Sequence, residues 1–451
     1  MSKNLAPKNH VFYRNQNWHY PKIEYGKGIY LYGEDGKKYL DGCSGSSVAN
    51  IGHGNEEVAE CAAKQIRKVA FTHLSRFTTD AVEECSRKVA ALTPGDLNYV
   101  YFMSGGSEAV EAAWKLSRQY FVERDKRTSK WRVVSRWPSF HGNTLGALSM
   151  TGITGRRQIY DPFIADFPKI NQAYCYRCPY NSEYPKCGLA CAHELEMLIK
   201  KQGPDNVMAF IAESVIGSAI PAARPPKEYF KIVREICDRH DVLLIVDEVM
   251  MGFGRTGKNF GIDHYDIVPD IITIAKGMSC GYSPLGAAVV TDKIFNTIMT
   301  EGSGYFIHGH TYGGNPLSAE IANCVLDITE REGYFQNAAV LGEYLAKKMQ
   351  DLYQYDIVGD VRAIGLMFGI EFVADKKTKE PFDPKKAVKS VVTNACLEQG
   401  LVVYPGGGSV DGLRGDHILL APPISITKEE VDELYSMLEA GIKKACEEIR
   451  K

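Results

Sequence analysis

The sequence predicts an α/β fold: a large domain on a mostly parallel β-sheet wrapped by helices, then a smaller α+β domain. Two observations carry this prediction. From about residue 56 to 325, short apolar runs alternate with helical patterns, the rhythm of parallel strands joined by crossover helices. Within that stretch, Val242–Val246 and Ile271–Ile274 are apolar enough for strands buried on both faces. They lead into Asp247 and Lys276, so a carboxylate and an amine are expected at the C-terminal edge of one sheet, where open α/β sheets bind ligands.

In chain order, Asp35-Gly36 between Ile29–Tyr32 and Lys38–Leu40 is a hairpin signal. A polar loop of small residues, Ser44 to Gly54, follows. Helical patterns cover about Glu56–Ala70 and Asp80–Ala91, then a strand Tyr99–Met103 and a helix Glu108–Glu123. Further strands are expected at Trp131–Ser135, Val207–Ala212 and Leu285–Val290, with a helix over Pro226–His240. Beyond about Gly333 the pattern becomes a helix (Asn337–Leu352), one kinked or two strands (Val361–Phe372) and a helix to Gln399. Strands Leu401–Tyr404 and His417–Leu420 and a helix Lys428–Ile449 complete it. The expected division is an N-terminal segment (1–55) packing with the small domain, a large domain (56–325) and a small domain (326–451).

Composition narrows the function classes. Of 451 residues, 45% are hydrophobic and 24% charged, enough for a large core. A net charge of −2 argues against a nucleic-acid or anionic-membrane partner. The N-terminus, Met1 to Lys8, lacks a signal-peptide core, and no apolar run reaches a membrane span. A cytoplasmic enzyme is the expectation. Most of the twelve cysteines sit singly in apolar or helical segments. Cys175, Cys178, Cys187 and Cys191 cluster as C-x2-C-x8-C-x3-C, a zinc-ribbon-like spacing without histidine. The expectation there is a thiol-rich loop and no metal.

The Asp247–Lys276 pair suits pyridoxal 5′-phosphate (PLP). That cofactor needs a lysine to hold its aldehyde as a Schiff base and an acid to keep its pyridine nitrogen protonated. A lysine among Ile, Ala and Gly is disfavoured as a cation, so its amine should become nucleophilic. Ser104-Gly105-Gly106-Ser107-Glu108-Ala109, between a strand and a helix, offers glycines, a hydroxyl and helix N-terminal amides to an anion. A helix cap explains the same residues without a ligand. Thr311, in the Gly-rich loop His308–Pro316, is a second anion candidate. Phe140 and His141 follow another strand, and Glu213 ends one.

Together these segments resemble the class III aminotransferases of PLP fold type I. The resemblance rests on Ser104–Ala109, Phe140-His141-Gly142, Asp247-Glu248-Val249, Ala275-Lys276-Gly277, the His308–Pro316 loop and Ala421-Pro422-Pro423. It extends over nearly the whole chain and implies a seven-stranded, mostly parallel sheet in the large domain. It also implies roles. Lys276 would hold the cofactor and shuttle the proton, and Asp247 would pair with the pyridine nitrogen. Val249 and Phe140 would pack on either side of the ring, with His141 close by and Glu213 near the ring hydroxyl or the substrate. Gly105, Gly106 and Ser107 would bind phosphate, joined by Thr311 from the other subunit of a homodimer; assembly into a tetramer stays open.

The function implied is transfer of an amino group from a primary amine or ω-amino acid to a 2-oxo acid such as pyruvate, with ping-pong kinetics. The alternative on the same scaffold is racemisation, epimerisation or intramolecular amino transfer; a non-enzymatic scaffold is disfavoured by Lys276. Two departures from the family pattern bear on the substrate. Ser47 stands where an amine-type enzyme has an aromatic, and Arg414, the candidate for a carboxylate-binding arginine, is offset from the usual place.

Overall fold

The computed structural model describes residues 5–126 and 129–450. Residues 1–4 of the stretch read for an export signal lie outside the described residues. Near the N-terminus, β1 (Ile23–Lys27), β2 (Tyr30–Gly33) and β3 (Lys38–Asp41) form a meander. The expected Asp35-Gly36 turn joins the last two, with Gly36 at φ +75°.

Seven strands make the large sheet: β4 (Leu97–Met103), β5 (Arg132–Trp137), β6 (Lys169–Asn171), β7 (Val207–Glu213), β8 (Leu243–Asp247), β9 (Ile271–Ile274) and β10 (Gly286–Thr291). Their spatial order is β4-β10-β9-β8-β7-β5-β6. The pairs from β9 through β6 are parallel, whereas β10 runs antiparallel to both β9 and β4. Strands β7 to β10 are buried at every position. Alternate residues of β8 serve opposite faces: Leu244 and Val246 pack with the helices Asp80–Leu92, Ala190–Gln202, Tyr229–Arg239 and Pro316–Arg331. Leu243 and Ile245 pack with Val110, Ala113 and Leu116 of the helix Gly106–Asp125. This two-sided cover is why the central runs read as continuous apolar stretches.

The C-terminal region adds β11 (Val358–Ile364), β12 (Met367–Phe372), β13 (Leu401–Val402), β14 (Tyr404–Gly407) and β15 (Asp416–Leu420). Four of them form an antiparallel sheet ordered β11-β12-β15-β14, packed on the helices Tyr334–Lys348, Val388–Glu398 and Lys428–Arg450. The expected strand Leu401–Tyr404 is two strands: β13 pairs in parallel with β3, and β14 joins β15. The first sheet therefore contains strands from both ends of the chain.

The long connection after β6 straps this small sheet to the large one. Tyr174 and Arg177 both donate to the buried Glu371 of β12, the Arg177 Nε at 2.5 Å. Arg362 of β11 donates to the Tyr174 hydroxyl at 2.6 Å. Among the described residues no helix is long and apolar enough to cross a membrane.

Candidate active site

A cavity of about 350 Å³ opens at the C-terminal ends of the central parallel strands. Gly105, Gly106, Ser107, Phe140, His141, Glu213, Asp247, Val249 and Lys276, all singled out from the sequence, line this one space. Strand register explains the convergence, because Glu213 and Asp247 are paired neighbours closing β7 and β8. Lys276 follows β9 directly and turns through a left-handed backbone at φ +46°. That conformation costs a non-glycine residue about 1 kcal/mol or more. The following turn holds it, with the Cys280 amide donating to the Lys276 carbonyl at 2.9 Å.

Each carboxylate is tied in place. Asp247 Oδ2 lies 2.7 Å from His141 Nδ1, and its Oδ1 accepts the Val249 amide at 3.1 Å. Glu213 accepts the Phe140 amide at 2.9 Å and the Gly217 amide at 2.5 Å. Burial, with Asp247 adding repulsion, raises the Glu213 carboxyl above its ordinary range. Lys276 borders the cavity, which leaves it some exposed area, yet it lies deep in the protein. Burial pulls its amine down to about 8, against the opposing pull of Asp247 and Glu213.

The opposite wall suits an anion. The helix Gly106–Asp125 begins three residues after β4, with Gly105 extended and no side-chain cap. Among the described residues the Gly106 and Ser107 amides have no hydrogen-bond acceptor, so both remain available at the positive end of the helix. A side chain could not replace Gly106 without displacing Val249, whose Cγ1 would lie 2.9 Å from an added Cβ. Ser107 Oγ accepts the Asn143 amide at 3.1 Å, which fixes the hydroxyl within the cradle. An amine, a fixed carboxylate and an uncapped helix terminus around one space of this size match the donor set that PLP requires.

The match of this constellation is reproduced along the chain, where the family model for class III aminotransferases covers residues 12–442. The chain belongs to the class III aminotransferases. These are PLP-dependent enzymes, and the aminotransferase shares their fold. It is 41% identical to an uncharacterized aminotransferase, YodT, of Bacillus subtilis, across 96% of this chain and 97% of that one. It superposes with TM-score 0.90 on an (S)-enantioselective omega-transaminase from Thermomicrobium roseum, 33% identical over 98% and 96% of the two chains. A PLP-bound amine transaminase from an uncultivated Pseudomonas species gives 0.91, at 32% identity, covering 98% of this chain and all of that one.

Two expected site residues are not brought to the cavity, and a third, Thr311, is expected there only from a second copy of the chain. Arg414 is about half-exposed; its Nε donates to Asp411 at 2.7 Å, and Glu380 lies 3.5 Å from Nη1. In this pairing it faces its own turn and not the cavity. Ser47 is buried, and it is Val48 that borders the cavity, because the kinked Ser44–Ser47 turn, with Ser47 itself at φ +54°, places the two side chains differently. Thr311 is exposed on its loop, outside the cavity of its own chain. The clustered thiols lie elsewhere, around a void of about 20 Å³ bordered by Cys175, Cys178, Cys187 and Cys191. No group among the described residues has an arrangement that would hold a metal ion.

Two arginines that pack near the site without lining the cavity carried no signal in the sequence. Arg255, fully buried, donates to Asn50 Oδ1 at 2.5 Å and to the Leu366 and Pro422 carbonyls, clamping the turn after β8 to both ends of the chain. Arg156 lies over the Phe140 ring, 4.4 Å from its centre. Both stand in Gly-rich stretches with no periodicity, so only their neighbours reveal them.

The amine's shift sets a pH dependence. An amine reacts with an aldehyde only when neutral, so PLP uptake by the apoenzyme should accelerate as pH rises through about 8, not through the ordinary 10.5. Asp247 raises this pKa, so Asp247→Asn should move the inflection lower. Rapid-mixing uptake rates between pH 6 and 11 measure both, and a wild-type inflection near 10.5 would contradict the burial. The same sign makes this amine destabilise the fold below about pH 8, a penalty that fades as pH rises toward 10.5.

Proposed function

We propose that this aminotransferase moves an amino group from a primary amine or ω-amino acid to a 2-oxo acid such as pyruvate, in two half-reactions with ping-pong kinetics. The single observation supporting this most is that Lys276 and Asp247 border one cavity together with the free amides of Gly106 and Ser107. When bound, PLP supplies an electron sink that acidifies the C–H bond beside the substrate's nitrogen. Lys276 Nζ, neutral at a pH accessible to the enzyme, is the group that tethers the cofactor and carries the proton removed from that carbon. Asp247, steadied by His141, keeps a proton on the pyridine nitrogen. Phe140 and Val249 would confine the ring between them, and Glu213 would take the side of the ring hydroxyl or the substrate.

Gly105, Gly106 and Ser107 receive the phosphate. Thr311 is proposed to complete that cradle in a second copy of the chain, as a homodimer with shared sites; its exposure and the Gly-rich loop support this. The division at about residues 55 and 325, and a cytoplasmic location, belong to the same proposal.

A donor and acceptor panel tests the reaction. With a primary amine or ω-amino acid as donor, pyruvate should be converted to alanine in proportion to donor consumed, and double-reciprocal plots should be parallel. Isomerisation of a chiral amino acid with no 2-oxo acid added would instead indicate a racemase or aminomutase.

A further inference from the structure

We infer that Arg156 binds the carboxylate of the acidic substrate, the 2-oxo acid. This deepens the transaminase proposal and rests on it. Arg156 stands in the short Thr154–Arg157 turn, and its guanidinium lies against Phe140, a wall of the cavity. That contact holds the cation against the ring, and with no acceptor for it among the described residues its N–H groups stay available.

Ion pairing separates the candidates. Next to Arg156, Arg157 donates to Asp161 at 3.1 Å. Arg414 pairs with Asp411 and Glu380, on a loop that itself backs onto Arg156's own turn, since an added Cβ at Gly412 would lie 2.6 Å from Thr154 Oγ1. Arg255 donates to three acceptors within the protein. Arg156 has no carboxylate partner among the described residues.

The charge balance of the cavity calls for such a group. Asp247 and Glu213 are already satisfied by His141 and by backbone amides, so neither needs Arg156. Both would repel an entering carboxylate. Arg156 is close enough to Lys276 to lower the affinity of its amine for a proton, as a neighbouring cation must. A guanidinium within that range, stacked and uncommitted, is suited to the planar, two-pronged contact a carboxylate makes.

The test uses the full-length holoenzyme as wild type, Arg156→Gln, Arg156→Lys and Arg414→Gln. Two acceptors are compared, pyruvate and the neutral aldehyde propanal, with one primary amine as donor. Binding of propionate, which has the carboxylate but no carbonyl to react, is measured by calorimetry. Arg156→Gln should raise the KM for pyruvate and the Kd for propionate about 10- to 100-fold, the worth of a charge-assisted contact. Turnover of propanal should stay within about twofold, because that acceptor presents no carboxylate to the arginine. Arg156→Lys should recover part of the loss, since it keeps the charge without the fork. Arg414→Gln should change none of these values.

Unchanged pyruvate and propionate values in Arg156→Gln would overturn the assignment, as would an equal loss with propanal, which would mark a purely structural role. Should the glutamine variant not fold, Arg156→Lys carries the same comparison, with wild-type values for both carboxylates as the overturning result. A wild type that aminates neither acceptor would refute the transaminase proposal separately, and the propionate measurement would still decide the role of Arg156.

Discussion

Replacing Lys276 by alanine is expected to lower kcat by about 10⁴-fold, the upper end of what a positioned acid–base group contributes. No other amine borders the cavity among the described residues: the remaining side chains there are carboxylates, a histidine held by Asp247, the Asn143 amide, hydroxyls, two methionines and apolar groups. The loss should be specific to chemistry. Alanine tolerates the left-handed backbone at this position no worse than lysine does, and removing an amine whose charge is disfavoured by burial relieves a cost. A thermal midpoint equal to or above that of the wild-type apoenzyme should therefore accompany the loss of turnover. Added methylamine should restore part of the rate by supplying a small amine to the vacated space. Retention of more than about a hundredth of wild-type kcat would remove Lys276 from the central role.

The second large effect concerns Asp247. Asp247→Asn is expected to reduce kcat about 10³-fold, the scale on which fixed electrostatic partners act in enclosed sites. Asparagine keeps the shape, an oxygen for the Val249 amide and a polar partner for His141, so the fold should survive. Only the negative charge proposed to face the ring nitrogen is lost. Asp247→Ala should behave differently, leaving His141 buried without its partner at a cost of about 1–3 kcal/mol in stability. Steady-state kinetics and chemical denaturation of both variants separate the two effects. Wild-type kcat in Asp247→Asn would show that charge at this position is irrelevant to the reaction.

Much of the site was legible because its chemistry lies at strand ends. Asp247 and Lys276 follow apolar runs that parallel strands require, and the register of β7 against β8 brings Glu213 beside them. The anion cradle was legible for a related reason: a strand, two glycines and a helix start in immediate succession leave amides pointing at open space. What escaped was the part set by side chains reaching across the chain. Arg414 looked available until its own turn supplied Asp411, three residues away, as a partner. Ser47 and Val48 differ by one position, and the local turn decided which faces the cavity. The single run Leu401–Tyr404 divides between two sheets because β3 and β15 compete for neighbouring residues, which no local pattern records. The three-residue strand β6 was too short to show a period at all.

By itself the sequence determined the fold class and singled out the lysine, the carboxylate and the glycine-rich loop proposed for the site, because hydrophobic period and residue chemistry are local properties written in order along the chain. Only the tertiary structure decided which arginine stands free beside the cavity, how far the Lys276 amine is weakened as a base, and which strands share a sheet. Those depend on burial and on partners distant in sequence, whose effects arise only once the chain has packed.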